Sequence, residues 1–382
     1  MRKAFICPTK YVQGEDELLN LGYFIKTYDN TAFVVAVDED LNRVAGQLEE
    51  TCKRFDVTLE KSGFGGKCTK EEVERLKKTA VEKKCACTVA LGGGQAIDAS
   101  KCVAMGENLI IVPTIAATDS PTSHSAVLYK ADGFFDEYAY FKKSPDVVLI
   151  DTRVIAAAPS RFLVAGMGDA LSTYFEARAT SRAFADVNAG LPCGAREGQC
   201  PPAKSTKTAL SLAKLCYDTI LEDGLKAIAA CNAGVVTQAL ENVIEANVLL
   251  SGVGFESGGL AAAHAIHDGF TALKATHDCM HGEKVAFGVI CQLVLENAPE
   301  EELFRVIEFC LEIGLPVCLA DIGLPEIQHE DLHKIAKMAC DPEESIHSMP
   351  FKVTEDMVEA AILAADRLGS GIKEASCGCG HD

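Results

Sequence analysis

The sequence predicts an α/β domain over residues 1–155 followed by an all-helical domain over residues 156–382. Three observations predict this. Short β-branched runs alternate with amphipathic runs through the first part of the chain, the pattern of a parallel sheet flanked by helices. Beyond residue ~155 the strand-like runs stop, and long Ala/Leu-rich segments with helical spacing take over. Within that second part, "NAGLPCGAREGQCPPAKS" (188–205) is rich in Gly and Pro and reads as a loop.

Taken in order, "FVVAVD" (33–38) is apolar, β-branched and bounded by polar residues, so it reads as a buried strand. "DLNRVAGQLEETCKRF" places its apolar residues at helical spacing, and "VTLE" is a short strand. The charged helix "TKEEVERLKKTAVEKK", the strand "CTVALGGG", the helix "AIDASKCVAM" and the strand "LIIVPT" follow. "SAVLYKADGFFDEYAYFKKSPDVVLID" reads as a hairpin turning at Asp132-Gly133 and leading into a final strand. "RFLVAGMGDALSTYFEARATSRAF", "TKTALSLAKLCYDTILEDGLKAI", "ALENVIEANVLLSGVGFESGG" and the later segments through "TEDMVEAAILAADRLGS" all read as helices. No internal repeat is present. An α/β domain beside a helical domain leaves a cleft between them as the natural place for a site.

Composition narrows the function classes. Hydrophobic residues at 48% and charged residues at 24% are ordinary for a globular chain. A net charge of −19 argues against a nucleic-acid partner, which needs a basic face. No apolar run reaches the ~20 residues that span a bilayer. Pro8, Lys10 and Gln13 interrupt the N-terminus too early for a secretory signal, so a cytoplasmic protein is expected. In that compartment the 17 cysteines are thiols, and Cys102, Cys216 and Cys310 sit in apolar runs as small core residues. The tail "SCGCGHD" carries Cys377, Cys379 and His381, which suit either a soft metal or a disordered end.

Three stretches carry candidate chemistry. "VALGGGQAIDASK" sets Gly92, Gly93 and Gly94 between a strand and a helix, where free backbone N–H groups and the helix dipole suit a dinucleotide pyrophosphate. A plain tight turn would use the same residues. Asp38 ends a strand, where a carboxylate can accept from an adenosine ribose hydroxyl and repel a 2′-phosphate, favouring NAD over NADP; it also suits a helix cap. "VPTIAATDSPTSHSAVLY" crowds Thr114, Thr118, Asp119, Thr122, Ser123 and Ser125 after another strand, as a ligand crevice or a polar turn would.

Four of the nine histidines fall within residues 259–284. His264/His267 and His277/His281, at i,i+3 and i,i+4, are both eligible metal-binding pairs, and spacing does not choose between them. Asp169 follows Gly166 and Gly168 and is expected to start a helix, as a third ligand or as an ordinary cap.

"GGGxxxDxxK" (Gly92 to Lys101), "PTIAATDSPTS", "GMGDALSTYFEARA", "GVGFESGGLAAAHAIHDG" and "HGEKVAFG" together resemble the glycerol dehydrogenases, metal-dependent alcohol dehydrogenases related to dehydroquinate synthase. The likeness runs in order over nearly the whole chain. It implies an N-terminal parallel-sheet dinucleotide-binding domain and a helical metal-binding domain. It implies Asp169, His264 and His281 as metal ligands, for zinc or Fe2+. It implies NAD contacts at Asp38, Gly93, Gly94, Asp98, Thr114, Thr118, Ser123, Ser125 and Tyr129, with Asp119 on a substrate hydroxyl. His267, one turn beyond His264, would touch substrate or a proton path, and His277 would pack or face solvent. The chain departs from the pattern at Gln95, where a lysine is expected, at Asp268 in place of asparagine, and at His124 and Ser125 in place of small or apolar residues.

The activity implied is NAD-dependent, metal-assisted oxidation of glycerol to dihydroxyacetone, with related vicinal diols as further substrates, in a homo-oligomer, an octamer by the same resemblance. The competing reading is a lyase like dehydroquinate synthase, which needs a basic cluster; Lys284 and Arg178 are the nearest cations to the substrate motifs.

Overall fold

Six segments pair in parallel: Lys10–Gly14 (β1), Thr31–Ala36 (β2), Thr58–Gly63 (β3), Cys87–Gly92 (β4), Leu109–Pro113 (β5) and Val147–Asp151 (β8), side by side in the order β1-β8-β5-β4-β2-β3. Between β5 and β8 the chain inserts an antiparallel hairpin, Ser125–Tyr129 (β6) and Phe135–Tyr140 (β7). This computed structural model describes residues 1–190 and 202–378. Most of the Gly/Pro-rich loop, and Cys379 and His381 of the tail, lie outside the described residues.

The helices threaded through the sheet are Leu21–Ile25 (α1), Asp38–Arg43 (α2), Ala45–Phe55 (α3), Lys70–Lys83 (α4) and Gly94–Ala104 (α5). After β8 the chain is helical: Thr152–Ala156 (α6), Ser160–Ala183 (α7), Lys207–Asn232 (α8), Gln238–Glu245 (α9), Ser251–Gly258 (α10), Ala262–Thr271 (α11), His281–Leu295 (α12), Glu300–Ile313 (α13), His329–Ala339 (α14) and Glu355–Gly378 (α15). This is the expected α/β half followed by a helical half.

Side chains alternate along each strand, so one apolar run feeds both faces of the sheet. Phe33 and Val35 of β2 pack with Leu76 and Ala99, while Val34 packs with Leu21, Leu48 and Val89 on the other face. The core of the helical half, built on Leu171, Phe175, Ile220, Phe270 and Phe287, runs on into the sheet through Ile111, Val148 and Ile150. The sheet and the helices thus share buried surface and frame the cleft between them.

Sequence patterning misses β1. Its residues, "KYVQG", carry one aliphatic side chain, and the segment becomes a strand by pairing with β8 at the sheet edge, Lys10 opposite Val147 through Gly14 opposite Asp151. The hairpin turns where expected, with Gly133 at φ +93 and its N–H donating to the carbonyl of Lys130 at 2.9 Å.

One expectation is corrected. Asp169 does not start a helix; it sits in the interior of α7, whose N-terminal residue is Ser160. Gly166 and Gly168 are helical residues there because neighbouring backbone crowds them. A Cβ on Gly166 would lie 2.0 Å from the carbonyl oxygen of Ala116, and one on Gly168 would lie 2.3 Å from that of Gly282. These glycines let α7 press against the β5 loop and the start of α12, which sets Asp169 at their junction. Among the described residues no helix is long and apolar enough to cross a membrane.

Candidate active site

The C-terminal edge of the sheet supplies one wall of the cleft, where ligands of open α/β sheets bind. β4 ends on Gly92 at φ +150, a conformation that other residues avoid, and Gly93 caps α5. A Cβ on Gly93 would meet Ile115 at 2.9 Å, so the turn is also packed tight from below. The N-terminal turn of α5 is left facing a cavity of about 390 Å³ lined by Gly94, Gln95, Asp98, Thr118, Asp119, Ser123, Ser125, Tyr129, His264 and His281, among others.

The loop from β5 to β6 is held in place by two side chains of α5. Lys101, 1% exposed, donates through Nζ to the carbonyls of Ser120 (2.6 Å) and Ser125 (2.7 Å) and to Ser123 Oγ (2.7 Å). Asp98 accepts from Ser120 Oγ at 2.7 Å and from the Val127 N–H at 3.0 Å. Thr118, Asp119, Ser123 and Ser125 therefore stand on a braced loop rather than a loose one. Gly93 and Thr114 do not line the cavity themselves; the Thr114 N–H donates to the Gly92 carbonyl at 3.2 Å behind it. Asp38 stands apart from the cavity, in the first turn of α2 at the ends of β2 and β3, with Val37 as the helix cap.

The opposite wall comes from α7, α11 and α12. His264 lies on α11, the chain leaves that helix, and His281 opens α12. Asp169 Oδ1 is 3.5 Å from His264 Nε2 and 3.2 Å from His281 Nε2, and one ligand atom from each of the three residues falls within 4.8 Å of the others. That oxygen of Asp169, on a residue 1% exposed, has no hydrogen-bond partner, while its Oδ2 accepts from the Asp119 N–H at 3.2 Å. Two imidazole nitrogens and one unsatisfied carboxylate oxygen fit a divalent ion with positions left for substrate.

Residues 8–152 match the model of the iron-containing alcohol dehydrogenases. Glycerol dehydrogenase of Citrobacter freundii is 45% identical over 371 residues, covering 97% of this chain and 98% of that protein. Glycerol dehydrogenase of Thermotoga maritima is 46% identical over 367 residues, covering 95% of this chain and 97% of that protein. The chain belongs to the glycerol dehydrogenase family. Its fold agrees: the crystal structure of glycerol dehydrogenase from Schizosaccharomyces pombe superposes with a TM-score of 0.91 at 35% identity, covering 98% of this chain and 93% of that one.

Electrostatics in this family member's site follow from burial and crowding. Burial works against the charge of Asp169, yet His281 and His264 beside it hold its carboxyl well below the usual range. Asp119 behaves oppositely. Its burial and the nearby Asp169 carboxylate push its carboxyl well up, against the hydrogen bond it accepts from Ser251 Oγ at 2.7 Å. His264 is buried, which lowers its basicity, but the carboxylates of Glu176 and Asp169 more than reverse this. His267, whose ring centroid is 4.2 Å from that of His281, is driven down to about 3 by burial and by His281, despite its contact with Asp268 at 3.0 Å. His277 is outside the cluster, exposed, and edge-on to Phe134 at 5.4 Å.

Two residues of the site escape sequence reading. Ser251 holds Asp119, and Glu176 holds His264. Glu176 lies seven residues beyond Asp169, two helical turns along the same face of α7, and that spacing was the available signal. Of the two cations available to the competing lyase reading, Arg178 is spoken for: its guanidinium contacts Glu302 at 2.6 Å and Glu296 at 3.2 Å.

Proposed function

We propose that this protein oxidises glycerol to dihydroxyacetone with NAD as hydride acceptor and acts on related small vicinal diols. The observation that carries the reading is that the glycine turn of β4–α5 and the Asp169–His264–His281 cluster face each other across one cleft. Bound at those three residues, a divalent metal, zinc or Fe2+, supplies Lewis acidity that favours deprotonation of the reacting hydroxyl.

The chain's own residues do the rest. The first turn of α5, with Gly93 and Gly94, takes the pyrophosphate of NAD, and Asp98, Thr114, Thr118, Ser123, Ser125 and Tyr129 flank the remainder of the cofactor. Asp38 accepts from the ribose hydroxyl, and its charge disfavours a 2′-phosphate. Asp119 receives a hydroxyl of the polyol, and its place on a braced loop fixes the carbon that gives up hydride. His267 donates its Nδ1–H to Asp268, which leaves Nε2 as an acceptor to relay the hydroxyl proton outward. The products are the ketone, NADH and one proton.

The two-layer division at residue 155/156, a cytoplasmic location and a homo-oligomeric state, an octamer by the family resemblance, complete the reading. It leaves the chain without a nucleic-acid or membrane partner. The test is NADH formation from glycerol and NAD at alkaline pH, with chelation and metal add-back. Turnover that vanishes with chelator and returns with zinc or Fe2+ is expected. A metal-loaded protein that binds NAD but leaves glycerol untouched refutes the substrate.

A further inference from the structure

Among the described residues, the well-covered cations Lys101 and Arg178 have partners and Lys284 does not. Lys101 has three acceptors within 2.7 Å, and Arg178 has two carboxylates. Lys284 is 7% exposed, yet its ammonium makes no hydrogen bond or ion pair among the described residues. Its neighbour Glu283 is already committed to Arg161, at 2.7 and 2.9 Å. The stem of Lys284 is buried and its head opens onto a cavity, so the ammonium's donors are left available to a ligand there.

That position is beside the reaction centre. Lys284 follows His281 on α12 by three residues, which puts both on one helical face about 4.5 Å apart along the axis. It lines a second cavity, of about 430 Å³, shared with Gln95, Tyr138, His267, Asp268 and His281. His281 also lines the first cavity, so the two spaces meet at this ligand candidate.

We propose that Lys284 is the docking group for the third hydroxyl of a three-carbon triol, and that it makes the site prefer glycerol over 1,2-diols. This rests on the polyol-oxidation reading above. Two vicinal hydroxyls at the Asp169–His264–His281 cluster leave the third to extend along α12, at the scale of one helical turn. A hydroxyl oxygen accepts from the ammonium, and a diol lacking it leaves that donor unsatisfied, the situation in which a site discriminates most strongly. Asp268, Asp132 and Lys67 line the same cavity with Lys284, so its charges are already matched in number and an uncharged hydroxyl adds none.

The test compares kcat/KM for glycerol, 1,2-propanediol and glycerate in the wild type, Lys284→Met and Lys284→Gln. Lys284→Met keeps the apolar stem and removes the donor; it is expected to lower the glycerol-to-propanediol ratio by about 10- to 100-fold. Lys284→Gln retains an N–H donor and loses less. As an equilibrium readout, glycerol raises the melting temperature of the NAD-loaded wild type more than 1,2-propanediol does, and Lys284→Met abolishes the difference. If Lys284→Met does not fold, Lys284→Leu, which also lacks a donor, decides in its place. An unchanged ratio with polyol turnover intact overturns the proposal and marks Lys284 as a side chain that only lays its stem on the protein. Glycerate as the better substrate, lost in Lys284→Met, replaces it with an anion site. A wild type that oxidises no polyol overturns the functional reading and this proposal together.

Discussion

Glu176 grips His264 by its backbone and its ring at once. Its Oε1 accepts from the N–H groups of Ala261 (2.9 Å) and His264 (3.0 Å), and its Oε2 lies 2.6 Å from His264 Nδ1. Ala261 is the cap residue of α11 and has no side chain with which to cap it, so a carboxylate from α7 closes that helix end instead. Because an ionised carboxylate only accepts, the ring must carry its proton on Nδ1, which leaves Nε2 free toward Asp169.

Glu176→Gln should therefore uncouple the two roles. The amide oxygen can still accept from both backbone N–H groups, but the amide NH2 would face Nδ1 and favour the tautomer with its proton on Nε2. Metal affinity is expected to fall about 10- to 100-fold while the melting temperature of the metal-free protein changes little. Competition with a fluorescent zinc chelator reads the affinity. Unaltered affinity would mean that the ring orients itself without Glu176.

Exchange at the neighbouring histidines separates ligand from bystander. His264→Ala and His281→Ala should abolish stoichiometric metal, whereas His277→Ala, at an exposed ring, should leave it intact. Protons compete for the same site, because the carboxylates around His264 raise its basicity. Metal affinity should thus weaken as pH falls below neutrality. Metal content after dialysis at graded pH measures both effects.

What could be read beforehand follows from how local each signal is. The alternation of β2, β4, β5 and β8 with amphipathic helices is carried within each segment, and all four strands appear where the apolar runs lie. β1 is set by its partner β8, so its own residues do not announce it. The histidine spacing left two eligible pairs, and the structure brings together one histidine from each: His264 and His281 meet Asp169 on a third helix, a grouping that depends on the return of the chain. Gly166 and Gly168 misled for the same reason. Their role depends on Ala116 and Gly282, which are remote in sequence.

Gly282 offers a direct test of that packing. A Cβ there would lie 1.8 Å from the carbonyl oxygen of Ala165, with the backbone nitrogen of Asp169 at 2.8 Å, and neither can swing away. Gly282→Ala should destabilise the protein by roughly 1–3 kcal/mol or more, as overpacking does, and should also reduce metal occupancy, because His281 is the adjacent residue. Thermal melts with metal analysis check both. Full stability would show that α7 and α12 can separate at no cost.

His267 predicts an acid-side loss of stability. Its folded pKa of about 3 lies below the unfolded value of 6.5, mainly through burial and then His281. Between those values the unfolded chain binds more protons than the native one, so the ring's contribution is complete above pH 6.5 and is lost as pH falls toward 3. From pH 6.5 to 5 the loss from this ring is on the order of 2 kcal/mol. Asp119 and Glu344, the latter pushed up to about 8 by burial and then Asp268, have the opposite slope in that window, since the native state holds their protons more tightly. The ring's share is therefore the difference between wild type and His267→Gln, both stripped of metal. Denaturant titrations at pH 6.5 and 5 should show the gap between the two proteins shifting in favour of the variant at the lower pH. A gap that does not change would mean that His267 takes up its proton as readily in the folded protein as in the unfolded chain, and that it is open to water.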